Sequence, residues 1–155
     1  MRVRTHADLD RLRASVERTR RLSDRVIGLG PFGLGLDGVL AWIPGAGLLY
    51  SLAAGGFLLV QGARAQVAPR TLGRMIGLLA ADSLTDVIPI PLAPALADMV
   101  FTGHKWAADA LLKGMEETIY YPGSKRDAEH DPRFREILEQ VRTGEDPRRR
   151  VVFLG

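Results

Sequence analysis

The chain has 155 residues, of which 25% are charged and 46% apolar, giving room for one domain or for two small repeats of one unit. It contains no cysteine, which excludes a disulfide scaffold, thiol catalysis and any cysteine-ligated metal or iron–sulfur site. A net charge of +3 is too small to indicate a nucleic-acid partner, and the informative property is where the charges sit.

Residues 1–25 carry eight arginines against four acids. Within 5–27, Leu9, Leu12, Val16, Leu22 and Val26 form one broad stripe with the arginines mostly opposite, and Thr5 with Asp8 three residues on marks a helix start. Segment 1–27 is therefore expected to be a basic amphipathic helix. Such a helix either lies on an anionic membrane surface or presents an ordinary solvated face.

Residues 28–62 hold a single charge, Asp37, and ten of the 17 glycines. The charged leader and the apolar run are both too long for a secretory signal, so the run is expected to stay in the mature protein and to need a cover. Lipid, the centre of a soluble bundle and an oligomer interface compete for that role. Glycine costs a soluble helix about 1 kcal/mol relative to alanine. In lipid, small residues let helices approach closely, and the membrane reading is preferred. A straight helix over 28–62 would measure about 52 Å, against a hydrocarbon core of about 30 Å. The run is broken by Ile43-Pro44-Gly45-Ala46-Gly47, so two short helices, 28–43 and 48–62, are expected to fold into a hairpin with Pro44, Gly45 and Gly47 at the turn. Arginines flank the run on both sides, which places both of its ends on the cytoplasmic face.

A basic stretch with Arg64, Arg70 and Arg74 follows, and then a second apolar segment whose only charges from 75 to 101 are Asp82, Asp86 and Asp98. Asp82 stands before Ile88-Pro89 as Asp37 stands before Ile43-Pro44, at an offset of 45 residues, and Pro89 and Pro91 mark the second turn. The layout defines a pseudo-repeat, 28–72 and 73–115. Paired, interrupted apolar segments serve transporters as ion or substrate sites; two hairpins also simply need two turns. Residues 104–119 continue the second segment as a more polar helix. Further on, Asp131-Pro132, then Phe134, Ile137, Leu138 and Val141, then Thr143-Gly144 describe a helix over 131–143. The tail Arg148-Arg149-Arg150 is expected to be mobile and to reach phospholipid.

Three acids stand in apolar surroundings. An ionised carboxylate there costs several kcal/mol unless paired or neutralised. Asp37, Asp82 and Asp98 therefore need partners, and Arg74 or Lys105 could supply them; helix capping and a proton or cation relay are the alternatives. Gly28-Leu-Gly30-Pro-Phe-Gly33 matches a dinucleotide fingerprint formally, but it follows an arginine-rich helix rather than a strand. Of His6, His104 and His130 only His104 adjoins the apolar region, as a polar residue at a boundary. Trp42, Tyr50, Trp106 and Tyr120 lie near segment breaks or ends, where interfacial aromatics are expected. No catalytic residue, metal or cofactor is expected.

Gly35-Leu36-Asp37, Ile43-Pro44-Gly45-Ala46-Gly47, Arg74-Met75, Asp82, Ile88-Pro89 and Asp98 resemble, over roughly 25–115, the bacterial family known as domain of unknown function number 4112. The resemblance implies a small, membrane-associated bacterial protein with no assigned activity. The sequence departs from the family's pattern at Leu48, Leu78 and Leu92-Ala93, where polar residues are common in it, and has no asparagine at all.

The expected fold is all-α. Two short-helix hairpins broken at Ile-Pro form a membrane-embedded core (28–115), between the basic N-terminal helix (1–27) and a polar extension (116–155). The expected role is a non-catalytic integral membrane protein, an accessory or structural subunit of a larger bacterial complex or a homo-oligomer. A small channel or transporter and a soluble helical oligomer are the alternatives. Expected partners are membrane lipid and other membrane subunits or a second copy, with no nucleic acid. The expected location is the bacterial inner membrane, with both termini cytoplasmic.

Overall fold

A computed structural model describes residues 3–27, 46–87 and 102–155. Among them are six helices and one two-stranded ribbon. In chain order these are α1 (His6–Ile27), α2 (Ala46–Arg64), α3 (Pro69–Val87), α4 (Thr102–Glu116), β1 (Thr118–Tyr121), α5 (Lys125–His130), α6 (Pro132–Thr143) and β2 (Arg150–Phe153). The protein is all-α apart from the ribbon.

Helix α1 starts where its sequence says. The Thr5 hydroxyl accepts from the Asp8 amide at 3.1 Å, satisfying one of the donors that a helix start leaves open. Leu9, Leu12 and Val16 are buried along one face while Asp10, Arg11, Arg13 and Arg18 are exposed. The sequence placed α1 alongside the apolar core, and the buried stripe packs on α4 and α2.

Helix α4 is the centre of the bundle, in contact with α1, α2 and α3. Ala107, Ala108 and Leu111 are wholly buried, and Ala110 and Met115 nearly so. The more polar helix expected over 104–119 spans Thr102–Glu116, and its small residues let three neighbours close around it. Glycines on α2 and on α4 itself do the same. A Cβ on Gly62 of α2 would lie 2.9 Å from Leu72 Cδ2 and 3.5 Å from Leu111 Cδ1, and one on Gly114 would lie 2.7 Å from Thr71 Cγ2.

These contacts fix the helix directions. Gly62 meets Leu72 and Leu111, whereas Gly55, two turns earlier, meets Leu79 and His104. Helix α2 is thus antiparallel to α3 and parallel to α4. Arg13 pairs with Glu116 and Arg20 with Asp109, each at 2.7 Å, so α1 is antiparallel to α4. The helix ends at 27, 46, 87 and 102 consequently lie at one end of the bundle. Residues 3, 64–71 and 114–118 lie at the other, so the residues flanking the first apolar run, 27 and 64, stand at opposite ends and not, as expected from their arginines, on one face.

The second end is the polar one. The chain turns from α2 to α3 through a Schellman motif, in which the Val67 amide donates to the Gly62 carbonyl at 3.3 Å and the Gln66 amide to Ala63 at 3.1 Å. Gln66 takes the left-handed conformation (φ 52°) that glycine usually fills there. Pro69 then opens α3, where its missing N–H costs nothing. The pseudo-repeat boundary between 72 and 73 falls inside this helix.

Beyond α4 the chain forms β1, which pairs in parallel with β2 from Thr118↔Arg150 to Tyr121↔Phe153. Alternation along the strands turns the ribbon into a wall between two cores. Tyr120, Val152 and Leu154 face the bundle, while Ile119, Tyr121, Val151 and Phe153 face α5 and α6. In that smaller core Tyr121, Phe134 and Phe153 form a ring cluster, with Tyr121 and Phe134 centroids 4.8 Å apart. Helix α5 starts at a capping box, in which the Ser124 amide donates to Asp127 at 2.9 Å and the Asp127 amide to Ser124 Oγ at 3.3 Å. The Ser124 hydroxyl, donating to Asp127 Oδ2 at 2.7 Å, and then the Ser124 amide hold the Asp127 carboxyl below its usual range. Helix α6 matches its sequence signals, with Asp131 accepting from Arg133 N–H at 2.9 Å, Pro132 in the first turn and Gly144 at φ 83° closing it.

Candidate functional site

Three features of the described residues bear on function: an apolar surface on α2 and α3, a charge-balanced groove, and a basic cleft. On α2, Leu52, Ala53, Gly56, Phe57, Val60 and Ala63 are exposed, and Leu52 and Val60 keep 57% of their surface. On α3, Gly73, Ile76, Gly77, Ala80 and Ala81 are exposed, with Ile76 at 54%. Both stripes recur at helical spacing on helices that pack side by side. Neither carries a charge between 52 and 63 or between 75 and 81. Trp106 on α4 is exposed as well. Among the described residues no helix is long and apolar enough to cross a membrane.

The groove between α1 and α4, about 760 Å³, is lined by Arg13, Arg20, Arg21 and Lys113 and by Asp10, Glu17, Asp109 and Glu116. Opposite charges meet within it, since Arg13 pairs with Glu116, Arg20 with Asp109 and Glu17, and Arg21 with Glu17. It neutralises itself. Solvent-exposed pairs of this kind contribute about 0–1 kcal/mol each and serve mainly to orient α1.

At the polar end, between α3, α4 and the segment before β2, lies a cleft of about 560 Å³. Arg70, Arg74, Lys113, Glu117 and Arg149 line it, with Thr71 and Gly114 at its floor. Arg70 reaches Glu117 at 3.2 Å, and the Glu117 carbonyl accepts from the Arg149 amide at 3.1 Å.

The arginine-rich tail, expected to be mobile, is held in place. Arg148 Nε donates to both Asp146 carboxylate oxygens at 2.9 Å and keeps that carboxyl below its usual range. Arg150 lies in β2, and its Nε donates to the Gln66 carbonyl at 3.0 Å. Tyr120, expected as an interfacial aromatic, is instead a link between ribbon and bundle. Its hydroxyl donates to the Ala65 carbonyl at 2.8 Å, and burial pushes its pKa up to about 12. Tyr120→Phe is expected to cost about 1 kcal/mol at neutral pH through the lost hydrogen bond. An unfolded tyrosine titrates near 10. The folded protein therefore holds the Tyr120 proton more tightly, and this contribution, complete below about pH 10, is lost as pH rises through about 12. Melting curves across that window are expected to show wild type losing stability relative to Tyr120→Phe.

The other residues singled out by sequence fall as follows. Asp37, Asp98, Pro44, Gly45, Pro89 and Pro91 lie outside the described residues, as does the side chain of Asp82 within α3. Gly47, expected at a turn, belongs to the first turn of α2, because the helix begins at Ala46. Arg74 is exposed and lines the basic cleft, and Lys105 is half-buried on α4. His104 is buried in the first turn of α4, facing Gly55 of α2. Among the described residues no group of three or more His, Asp or Glu is placed to hold a metal ion. Sequence reading missed the basic cleft. Arg70 and Arg74, four residues apart, were visible as one helix face, but Lys113 and Arg149 join them only through the fold.

Among the described residues, four helices centred on α4 with a ribbon and two short helices at one end are the class of protein this structure defines. The chain belongs to the family of the domain of unknown function DUF4112, whose model matches residues 12–115. The match ends one residue before α4 does, so the ribbon, α5 and α6 lie outside it. No curated protein and no solved structure matches the chain.

Proposed function

We propose that this is a non-catalytic bacterial membrane protein, acting as an accessory or structural subunit of a larger complex or as a homo-oligomer. The observation that carries the reading is the pair of charge-free apolar stripes on α2 and α3, exposed in a bundle that otherwise sorts its residues cleanly. Exposed apolar stripes of that length suit lipid or the small-residue packing of a neighbouring helix. The polarity of the molecule supports the same reading. Arg64, Arg70, Arg74 and the cap of β1, α5, α6 and β2 gather at one end. The segments 28–45 and 88–101, which hold Asp37 and Asp98 as their only charges, join helix ends at the other. Arg64, Arg70 and Arg74 fit a cytoplasmic orientation for that end, which also carries residues 3 and 150–155, while Arg20, Arg21 and Arg25 in the second half of α1 stand toward the other.

Fractionation of cells expressing the chain tests this. The protein is expected to stay in the membrane pellet after washing with high salt and then with alkaline carbonate. Release by either wash would place the stripes in a protein interior or interface and end the membrane reading.

A further inference from the structure

We propose that the cleft between α3, α4 and residues 147–149 binds a phosphate-bearing anion. Four cations, Arg70, Arg74, Lys113 and Arg149, surround it against one carboxylate, Glu117. That carboxylate is already engaged by Arg70 at 3.2 Å. Among the described residues no carboxylate pairs with Arg74, Lys113 or Arg149. The α1–α4 groove supplies the internal comparison. Its three arginines are each paired with an acid and it holds four acids against four cations, whereas the second cleft, which shares Lys113 with it, sets four cations against one acid.

Like charges held together cost free energy that an anion relieves, and guanidinium groups match phosphate oxygens in geometry as well as in charge. Arg70 and Arg74 stand one turn apart at the start of α3, where the helix dipole adds positive potential. The floor is closely packed, since a Cβ on Gly114 would come within 2.7 Å of Thr71 Cγ2, and the Arg149 amide donates to the Glu117 carbonyl at 3.1 Å. A space of about 560 Å³ exceeds one inorganic phosphate and admits a phosphate carrying a headgroup. The proposal does not rest on the membrane reading, because a soluble phosphate compound and a phospholipid headgroup present the same chemistry.

The test uses the full chain and two probes. Inorganic phosphate is titrated calorimetrically at constant ionic strength, and vesicles of phosphatidylcholine with and without phosphatidylglycerol are used in co-flotation. The double variant Arg74→Ala, Arg149→Ala is compared with Arg126→Ala, Arg135→Ala, which removes equal charge from α5 and α6. The cleft variant is expected to weaken binding about tenfold or more, and the control less than about twofold. Saturable phosphate binding lost in the cleft variant supports a soluble ligand. Loss confined to the increment given by phosphatidylglycerol supports a headgroup. Slowed amide exchange at 70–74 and 113–117 on adding phosphate to wild type locates the site without any variant. Equal weakening in both variants, or no binding in either arm, overturns the proposal.

Discussion

Leu111→Ala lowers the stability of the chain by about 3 kcal/mol. Leu111 is wholly buried on α4, the helix that the other three surround. Truncation removes apolar contact and leaves a void. The void stays largely open, because the facing position on α2 is Gly62, which has no side chain to move into it. For a domain of this size the loss corresponds to a fall in melting midpoint of about 10 °C. Leu138→Ala, on the exposed side of α6, is the reference and is expected to cost less than about 1 kcal/mol. Equal shifts for the two variants would remove α4 from the centre of the fold.

Gly114→Ala destabilises by about 1–2 kcal/mol, although the same change within a helix ordinarily stabilises by about 1 kcal/mol. The added Cβ would lie 2.7 Å from Thr71 Cγ2 and 3.0 Å from its hydroxyl. Thr71 is branched at Cβ and itself buried, so it has no room to swing aside. Helices α3 and α4 would have to part at the point where they approach closely. Two comparisons make the sign informative. Gly77→Ala on α3 meets nothing within 4 Å and is expected to stabilise. Thr71→Ala removes both offending atoms, so the double variant with Gly114→Ala should recover most of the loss. A double-mutant cycle in melting midpoint measures that coupling, and additivity would contradict the contact.

Local signals were legible and non-local ones were not. The stripe Leu9, Leu12 and Val16, the Thr5 start, and the Asp131-Pro132 start and Gly144 end of α6 could be read directly, because each depends on residues within a turn or two. The Ser124–Asp127 capping box is equally local, but α5 was not among the expected elements. The ribbon could not be read: β1 and β2 are four residues each, 28 residues apart between their nearest ends, and only tertiary pairing distinguishes them from loop. The tail arginines looked solvated because the partner of Arg150 is a backbone carbonyl 84 residues earlier in the chain. The turn from α2 to α3 was hidden for another reason, since Gln66 occupies a left-handed position that sequence rules assign to glycine. Arginines at 64–74 marked a break between the apolar halves, and the turn at 65–68 falls there, with Pro69 opening α3 as a good first-turn residue. Membership of the family was legible from Ile43-Pro44-Gly45 and Ile88-Pro89 together with the aspartates, and the family model agrees over 12–115.

The natural chain has no cysteine, so single introduced thiols report on one position each. The most direct test of the two-ended molecule labels Leu52→Cys, Ile76→Cys and Glu136→Cys with a membrane-impermeant maleimide, in inverted membrane vesicles that expose the cytoplasmic face. The account predicts that Glu136→Cys on α6 is labelled at once, and that the positions on α2 and α3 are labelled only after detergent is added. Equal labelling of all three in intact vesicles would contradict it.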